Sequence, residues 1–393
     1  MRILIDGRFI GVGESISRYT LELVKGILEL DKINDYTLLI RPQGKKEVET
    51  IQQFNNLKIK ILDIAHYSLS EQTKLLKYLN QEKFDLVHFT QFNHPTRYKG
   101  KFIVSIHDLT LLGHLYRMNP IKRLGFRAVM KSAVKNSTKI ITISKYSKED
   151  IIKTYGADPK KIEVTYLGID SKFSKEVRSR KQEVTKFKEK YQISGEYILY
   201  TGMWKRHKNI IRMLKAFELC LKKQISRNKS QTNSKFQIPN IQMVLVGKVD
   251  KEELEVIAEI ERINAFTKHL TFKNPKPVIA TGFVDESELP ISYAGALMYC
   301  TPSLSEGFGL PSLEAMACGT PVISSNISAM PEVLGDAAEY FDPYNVEDIA
   351  KSIGKLACDE KLREQLSRKG LEQVKKYEWS KTAKETLRAY KNI

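Results

Sequence analysis

Short apolar runs alternate along the whole chain with longer amphipathic stretches, and this alternation constrains the fold more than any other feature. The first half contains runs such as RILID at residues 2–6 and FIVSIHD at 102–108, and the pattern restarts with YILYTG at 197–202. Apolar runs of strand length separated by amphipathic helical stretches are typical of a parallel sheet covered by helices. The restart predicts two consecutive doubly wound α/β domains.

The length of 393 residues supports this division, because a single hydrophobic core rarely grows beyond about 250–300 residues. We place the first domain at 1–178 and the second at 179–376, with an amphipathic helix at 377–393. Residues 172–195 are dense in charge and lack apolar periodicity, so they predict an interdomain linker. In doubly wound sheets ligands bind outside the carboxyl ends of the strands, so a cleft between two facing domains is the expected site.

The charge and the cysteines limit the class of protein. The formal net charge is +18, and residues 1–180 carry 32 Lys and Arg against 19 Asp and Glu. The first residues lack the apolar core of a signal peptide, and no apolar run reaches the ~20 residues of a membrane span. The four cysteines are far apart, which favours reduced thiols over disulfides or a zinc site. We therefore expect a cytoplasmic globular protein. A pI of 9.4 would permit nucleic-acid binding, but the charge is diffuse and no recognition motif is present.

The stretch SEGFGLPSLEAMACGTPVI at 305–323 holds two glutamates around a glycine-containing turn. Glu306 follows an apolar run on a loop, and Glu314 falls in the first turns of a helix that Pro311 helps to start. Glycines let the backbone approach a ligand, and N–H groups at a helix start suit a phosphate or a sugar oxygen. The two carboxylates could accept hydrogen bonds from sugar and ribose hydroxyls. Equally, Glu314 could complement the helix dipole while Glu306 is a solvated loop residue.

Three further segments combine a strand end with polar residues. In TGMWKRHKNI at 201–210 a basic turn follows a strand, either as a diphosphate site or as a solvated turn. His107 and Asp108 end the run FIVSIHD, where Asp108 could equally be a helix cap or turn residue. The G-x-G at Gly11 and Gly13 lacks the third glycine and the acidic partner of a dinucleotide fingerprint.

The stretch EGFGLPSLEAMACGTPVI resembles the E-x7-E signature of glycosyltransferase family 4. Further segments resemble the family in the same order: SIHDLTLLGH, ITISKYSKEDI, ILYTGMWKRHKNI, GFVDESELPISYAGALMYCTPS and AMPEVLGDAAEYFDP. Together they span most of the chain. The resemblance implies the GT-B fold, with two Rossmann-like domains facing across a cleft and a C-terminal helix, here 377–393, that crosses back to the first domain. It also implies retaining transfer from a nucleotide-sugar.

The resemblance assigns roles by position. It implies that Glu306 lies near the donor sugar, Glu314 on the nucleotide ribose, His107 in the donor-sugar pocket and Lys208 on the diphosphate. The candidate catalytic residues are Glu306, His107 and Lys208. The candidate donor-binding residues are Gly202, Arg206, Lys208, Asn209, Glu306, Gly307, Phe308, Gly309, Leu310 and Glu314, and the acceptor-side candidates are Gly11, Gly13, Arg18 and Asp108. Met203 departs from the family, which often has a basic residue there, and His207 stands where many relatives have Arg.

The same resemblance implies the reaction and its partners. We expect a hexose, by preference mannose from GDP-mannose, to be moved to a glycan or lipid-linked acceptor in surface-polysaccharide assembly. UDP-glucose-type and deoxysugar donors are the alternatives, and an inactive nucleotide-sugar-binding module is the alternative of another class. No D-x-D motif occurs in the chain, so neither a metal nor any other cofactor is expected.

A basic stripe in the first half suggests a further contact. Arg123, Arg127, Lys131 and Lys135 recur every four residues in a segment without acidic residues. In a helix they form one slowly drifting stripe, either a solvated face or a contact with an anionic membrane at the inner face of the cell membrane.

Overall fold

The computed structural model describes residues 1–12, 15–110, 112, 119–230, 241–248, 253–267 and 276–393, with the backbone alone for 223–230. Within these residues the chain divides into two compact units. The first comprises Met1–Gly168 together with Tyr377–Ile393, and the second comprises Ile169–Lys376. Each unit is built around one parallel sheet, as the alternating pattern predicts.

The first unit contains a seven-stranded sheet. Its strands are β1 (Arg2–Asp6), β2 (Asp35–Ile40), β3 (Leu57–Ile61), β4 (Leu86–Phe89), β5 (Phe102–Ser105), β6 (Lys139–Thr142) and β7 (Ile162–Val164), in the order β3-β2-β1-β4-β5-β6-β7. Each neighbouring pair is parallel, with Ile3 opposite Leu86 where β1 meets β4. From β1 the chain proceeds outward to β3 and then returns to β4 on the other side. The switch point of this sheet therefore lies between β1 and β4.

The helices of the first unit cover a sheet whose central strands are buried on both faces, as parallel sheets require. Asn119 caps the third helix by accepting a hydrogen bond from the Ile121 N–H at 2.9 Å, and Pro120 occupies its first position. Gly156, with φ +64°, ends the fourth. These helices are α1 (Ser15–Leu30), α2 (Leu76–Glu82, preceded by a π-helical turn at Glu71–Leu75), α3 (Pro120–Asn136) and α4 (Lys145–Tyr155).

The second unit contains a six-stranded parallel sheet. Its strands are β8 (Glu196–Thr201), β9 (Ile241–Val246), β10 (Val278–Gly282), β11 (Met298–Thr301), β12 (Val322–Ser325) and β13 (Ala338–Phe341), in the order β10-β9-β8-β11-β12-β13. The switch point lies between β8 and β11. The helices are α5 (Lys181–Lys190), α6 (Ile210–Ser230), α7 (Leu254–Thr267), α8 (Leu289–Ala294), α9 (Leu310–Ala317), α10 (Met330–Leu334), α11 (Val346–Cys358) and α12 (Glu360–Val374).

Two parts of the second unit differ from the sequence-based expectation. The expected linker at 172–195 is wrong, because Lys181–Lys190 forms α5 and buries Phe187. Residues 169–178, expected to close the first domain, pack on the second unit: the Phe173 ring contacts Tyr293, and Arg178 donates a hydrogen bond to the Gly319 carbonyl at 2.7 Å.

The C-terminal helix α13 (Trp379–Lys391) packs with the first unit. The Tyr390 hydroxyl lies 2.7 Å from Nδ1 of the buried His88, and the Thr382 hydroxyl donates to the Tyr166 carbonyl. Against α1, a side chain at Gly26 would approach Ala383 to 2.8 Å. No helix among the described residues is both long enough and apolar enough to cross a membrane.

Candidate active site

Two loops lie side by side at the switch point of the second sheet. One follows β8 and the other follows β11, and parallel neighbours place their carboxyl ends together. The Leu304 N–H donates to the His207 carbonyl at 2.7 Å. The Asn209 amide donates to the Pro302 carbonyl at 3.0 Å. These bonds hold the basic turn 205–208 against the segment that carries Glu306.

Lys208 and Glu306 form an ion pair across these loops. Nζ of Lys208 is 2.6 Å from Oε1 of Glu306, and the Ser303 hydroxyl donates to the same oxygen at 2.6 Å. The side chains are 21% and 16% exposed, so both remain accessible to a ligand. The structure thus brings together two residues that the sequence separates by 98 positions.

The environment of Glu306 keeps its carboxyl ionised. Burial would raise its pKa, but the charge and hydrogen bond of Lys208, the Ser303 hydroxyl and the charge of His207 together lower the pKa below its ordinary value. The site therefore presents a fixed cation beside a fixed anion at neutral pH. Such a pair can hold a phosphate oxygen and a sugar hydroxyl at neighbouring positions.

The turn after Glu306 requires glycine at its end. Gly309 has φ +91°, a conformation that side-chain-bearing residues rarely adopt, and an added Cβ would approach Sδ of Met330 to 2.8 Å. It precedes α9, whose first residues include Leu310 and Pro311. Gly307 and Phe308 are buried and Leu310 is half-buried. The Glu306 N–H is held by the Ser328 hydroxyl at 3.2 Å.

Glu314 is placed differently from Glu306. It is 4% exposed and lies on α9, where its Oε2 accepts a hydrogen bond from the Tyr293 hydroxyl at 2.9 Å. That hydroxyl is 2.7 Å from the Thr201 hydroxyl at the end of β8. Burial, followed by the nearby Glu314 charge, raises the pKa of Tyr293 well above its ordinary value. Tyr293 therefore stays protonated and links the second glutamate to the end of β8.

The Asn209 side chain forms hydrogen bonds with the loops that build the site. It is 5% exposed and has φ +58°, and its amide nitrogen donates to the Pro302 and Pro343 carbonyls at 3.0 and 2.8 Å. Its Oδ1 accepts from Arg212 at 2.9 Å. Both amide hydrogens are thus directed to backbone carbonyls. This candidate donor-binding residue positions the turn that carries Lys208.

The remaining residues of the basic turn lie around Lys208. Arg206 and Met203 are exposed, Met203 to 41%, and His207 is half-buried. Gly202 has φ +136°. A Cβ on Gly247 would collide with the Gly202 carbonyl oxygen, so the ends of β8 and β9 can approach this closely only because residue 247 is a glycine. Sequence reasoning missed Gly247, although VLVG at 244–247 ends an apolar run as ILYTG does at Gly202.

Two of the first unit's candidates lie at the carboxyl end of β5. Nε2–H of the half-buried His107 donates to the Thr90 carbonyl at 3.0 Å, and the edge of the Tyr19 ring is 4.5 Å away between centroids. Burial lowers the pKa of His107 despite the opposing Thr90 carbonyl and Asp108 charge. Oδ1 of Asp108 accepts from the Thr110 N–H at 2.9 Å, the turn role that its sequence also allowed.

The other candidate site residues of the first unit lie on separate segments of the chain. Gly11 has φ +83°, and its N–H donates to the Ser17 hydroxyl at 3.1 Å; a Cβ there would approach the Gln43 carbonyl oxygen to 2.6 Å. Arg18 is half-buried on α1, and Gly13 lies outside the described residues. The basic stripe lies on α3, where Arg127, Lys131 and Lys135 are exposed and Arg123 is half-buried.

Two protein-family models match the chain. The model described as Glycosyltransferase Family 4 matches residues 16–173, and the model described as Glycosyl transferases group 1 matches residues 181–373. The chain thus has two glycosyltransferase domains, of which the first belongs to family 4 and the second to group 1. This confirms the resemblance and makes the protein a hexosyltransferase.

Known proteins agree with this membership. The O-antigen chain mannosyltransferase B of Escherichia coli is 27% identical over 393 residues, covering 96% of this chain and 95% of that protein. The serotype-specific mannosyltransferase WbdA of E. coli is 32% identical over 202 residues, covering 51% of this chain and 22% of its own length. The structure of Anabaena HepE in complex with UDP and glucose has a TM-score of 0.74 at 14% identity, covering 100% of both chains. The chain has the GT-B fold class.

Proposed function

We propose that this glycosyltransferase moves mannose from GDP-mannose, with retention of anomeric configuration and without a metal ion, to a glycan or lipid-linked acceptor. The observation that carries the proposal is the Lys208–Glu306 pair at the switch point of the second sheet, with Nζ and Oε1 2.6 Å apart. The choice of mannose rests on the relatives named as mannosyltransferases. Their names also support a role in cell-surface polysaccharide assembly.

Lys208 has the chemistry to stabilise the leaving diphosphate. Its ammonium carries three N–H donors, one of which reaches Glu306, so others are available to phosphate oxygens. As the glycosidic bond breaks, negative charge grows on the diphosphate, and a preorganised cation stabilises that charge. In this proposal Lys208 takes the part that a bound metal plays in other glycosyltransferases, with Arg206 as a second cation.

Glu306 and Glu314 would hold opposite ends of the donor. Glu306, ionised and partly exposed, would accept a hydrogen bond from a hydroxyl of the transferring sugar. The N–H groups around Phe308–Leu310 face the diphosphate in this arrangement, where the start of α9 favours an anion. Glu314 would bind the ribose hydroxyls away from the reacting carbon.

His107 would contact the donor sugar without acting as a nucleophile. Its lowered pKa favours a neutral ring, and a proton on Nε2, donated to the Thr90 carbonyl, leaves Nδ1 as an acceptor for a sugar hydroxyl. With retention, the incoming hydroxyl and the leaving phosphate share one face of the sugar. The leaving phosphate oxygen then takes the acceptor's proton.

We also propose that the protein is cytoplasmic and binds the inner face of the cell membrane through α3. Ile121 and Leu124 are 81% and 70% exposed at the start of this helix, beside its basic stripe. Each Lys or Arg near an anionic surface contributes about 1 kcal/mol to binding. Charge reversal of Arg123, Arg127, Lys131 and Lys135 should abolish sedimentation with phosphatidylglycerol vesicles. Charge reversal of Lys181 and Lys186 on α5 should not, and unchanged sedimentation of the first variant would overturn the membrane proposal.

A donor panel tests the reaction. Purified protein is given GDP-mannose, UDP-glucose, dTDP-rhamnose and GDP-fucose with a mannosyl acceptor, with and without EDTA. We expect transfer from GDP-mannose, undiminished by EDTA, with an α-linked product by NMR. Transfer from another donor alone, loss of transfer in EDTA, or a β-linked product would each refute the corresponding part of the proposal.

A further inference from the structure

A second polar cluster lies at the switch point of the first sheet. Asp6 ends β1, Arg8 follows it, and Asn93 lies beyond the end of β4. Glu71 joins them from the π-helical turn that precedes α2. Their exposed fractions are 3%, 0%, 1% and 1%. Buried polar groups at this edge of a doubly wound sheet occupy the place where such folds bind ligands.

One guanidinium joins the members of this cluster. Nε and Nη2 of Arg8 donate to the two oxygens of Asp6 at 2.8 and 2.7 Å. Nη2 also donates to Oε2 of Glu71 at 3.0 Å, and the Asn93 amide donates to that same oxygen at 2.6 Å. The cluster is thus rigid and carries two carboxyl groups against one guanidinium.

Two buried atoms of the cluster have no hydrogen-bond partner among the described residues. These are Nη1 of Arg8, a donor, and Oδ1 of Asn93, an acceptor. Each belongs to a side chain whose other polar atoms bind Glu71 or Asp6. A buried polar group without a partner typically costs about 1–3 kcal/mol. A donor and an acceptor left open beside one carboxylate match a hydroxyl group, which can both accept and donate.

His66 is a third side chain of this kind. Its ring stacks on Phe9 at 3.6 Å between centroids, and both ring nitrogens are buried and lack partners in the described part of the chain. Burial, and then the charge of Arg8, lower its pKa to about 4, so the ring is neutral and offers one donor and one acceptor. Its stacking on Phe9, the residue after Arg8, places the ring beside the cluster.

The aromatic side chains around the cluster are of a kind that binds carbohydrates. Tyr67 is 54% exposed and has φ +55°, and its ring lies 5.8 Å from that of Phe92 and 6.4 Å from that of Phe9. Strained backbone of this kind is concentrated at functional sites. The excess of carboxyl groups disfavours an anion such as a phosphate. An aromatic rim over open hydrogen-bond donors and acceptors instead suits a sugar.

We propose that Arg8, Asn93 and His66 form a subsite that binds hydroxyl groups of the acceptor sugar. The inference rests on the proposed function, because it takes the acceptor to be a glycan. The open atoms are buried, and Tyr67 contacts Phe9 and Phe92, the chain neighbours of Arg8 and Asn93. Binding therefore requires the segment around Tyr67 to move, and its Leu69 is 86% exposed. The three residues would select the acceptor and act in positioning it, without taking part in bond breaking.

The test uses matched histidine-to-phenylalanine variants. His66→Phe keeps a ring on Phe9 and removes both open nitrogens. His94→Phe is its control: the His94 ring also stacks on a phenylalanine, Phe102, but both of its nitrogens are bonded inside the unit. Asn93→Ala is a second variant of the subsite, and thermal melting checks that each variant folds.

The first measurement is the acceptor KM with methyl α-D-mannoside and GDP-mannose. Loss of one hydrogen bond to a neutral ligand is worth about 3- to 10-fold in affinity. We expect His66→Phe and Asn93→Ala to raise the acceptor KM by that factor with the donor KM unchanged. His94→Phe should lower the melting temperature and leave the acceptor KM unchanged. An unchanged acceptor KM in folded His66→Phe and Asn93→Ala would overturn the subsite, and would mean that the open atoms bind only buried water.

The second measurement, saturation-transfer NMR of methyl α-D-mannoside, requires no turnover. Binding to the wild type that weakens in His66→Phe and Asn93→Ala supports the subsite. It does so even if the protein transfers sugar from none of the donors, because that failure would refute only the proposed function. Absence of binding to the wild type, or equal binding to all variants, overturns the subsite while leaving donor transfer to be judged by the donor panel.

Discussion

Replacing Asn209 tests whether its side chain holds the two loops of the candidate active site together. Its amide donates to the carbonyls of Pro302 and Pro343, and both prolines are buried. Asn209→Ala removes both donors and leaves the carbonyls without them. At about 0.5–1.5 kcal/mol for each lost bond, with more for a carbonyl left unsatisfied, the loss is about 2–4 kcal/mol in the free energy of unfolding.

The backbone conformation of Asn209 makes a second contribution to stability. A glycine variant distinguishes this contribution from that of the hydrogen bonds. Its φ of +58° is left-handed, which costs alanine roughly 1–2 kcal/mol and glycine almost nothing. Asn209→Gly should therefore be less destabilising than Asn209→Ala, although it loses the same hydrogen bonds. Both variants should also lower kcat, because the turn that carries Lys208 loses its attachment to the loop of Glu306.

Urea unfolding and initial transfer rates provide the assay. Asn345→Ala is the matched control: Asn345 caps α11 in the same unit by accepting from the Asp348 N–H at 3.1 Å. Its loss should cost about 1 kcal/mol of stability with kcat unchanged. An Asn209→Ala protein with wild-type unfolding free energy, or with reduced stability but wild-type kcat, would refute the positioning role.

Three further outcomes are expected. Glu314→Gln should raise the donor KM more than it lowers kcat if Glu314 binds the ribose, as we propose; equal changes in steady-state assays would contradict this. Gly247→Ala should lower the melting temperature, because the new Cβ collides with the Gly202 carbonyl oxygen; a wild-type melting curve would count against the close approach of β8 and β9. The folded-state pKa of Glu306 lies below its ordinary value of 4.5. Its ionised form therefore stabilises the folded protein fully above pH 4.5, and this stabilisation is lost as the pH falls through the lowered pKa. Glu306→Gln should accordingly be less stable than the wild type at pH 7 in urea unfolding, with the difference narrowing below pH 4.5; a difference independent of pH would refute the ion pair's contribution.

Much of the fold could be predicted because local patterns report it. Each strand of the first sheet lies within an apolar or alternating run recognisable in the sequence, and α1, α4 and α11 show the apolar periodicity of amphipathic helices. Helix α5 could not be predicted, since Phe187 is its one buried residue and six of its other nine residues are charged. Strand β13 is only Ala338–Phe341, half of it partly exposed, which leaves a weak apolar signal.

The candidate site, like the fold, could be predicted from the sequence only in part. The positions of Glu306 and Lys208 after strands could be inferred locally, and their pairing follows once β8 and β11 are neighbours. The roles of Asn209 and Tyr293 could not be inferred, because their partners lie on distant segments of the chain. The same holds for Arg8, whose partner Glu71 is 63 positions away. No spacing in the sequence indicates contacts of this range.

The most direct test of the central claim is the kcat for mannosyl transfer from GDP-mannose by Lys208→Ala and Glu306→Gln, compared with the wild type. Removal of one preorganised group that stabilises transition-state charge typically lowers kcat about 100- to 1,000-fold. We expect losses of that order in both variants, with circular dichroism showing an intact fold. Near-wild-type transfer by either folded variant would contradict the assignment of the pair to the reaction.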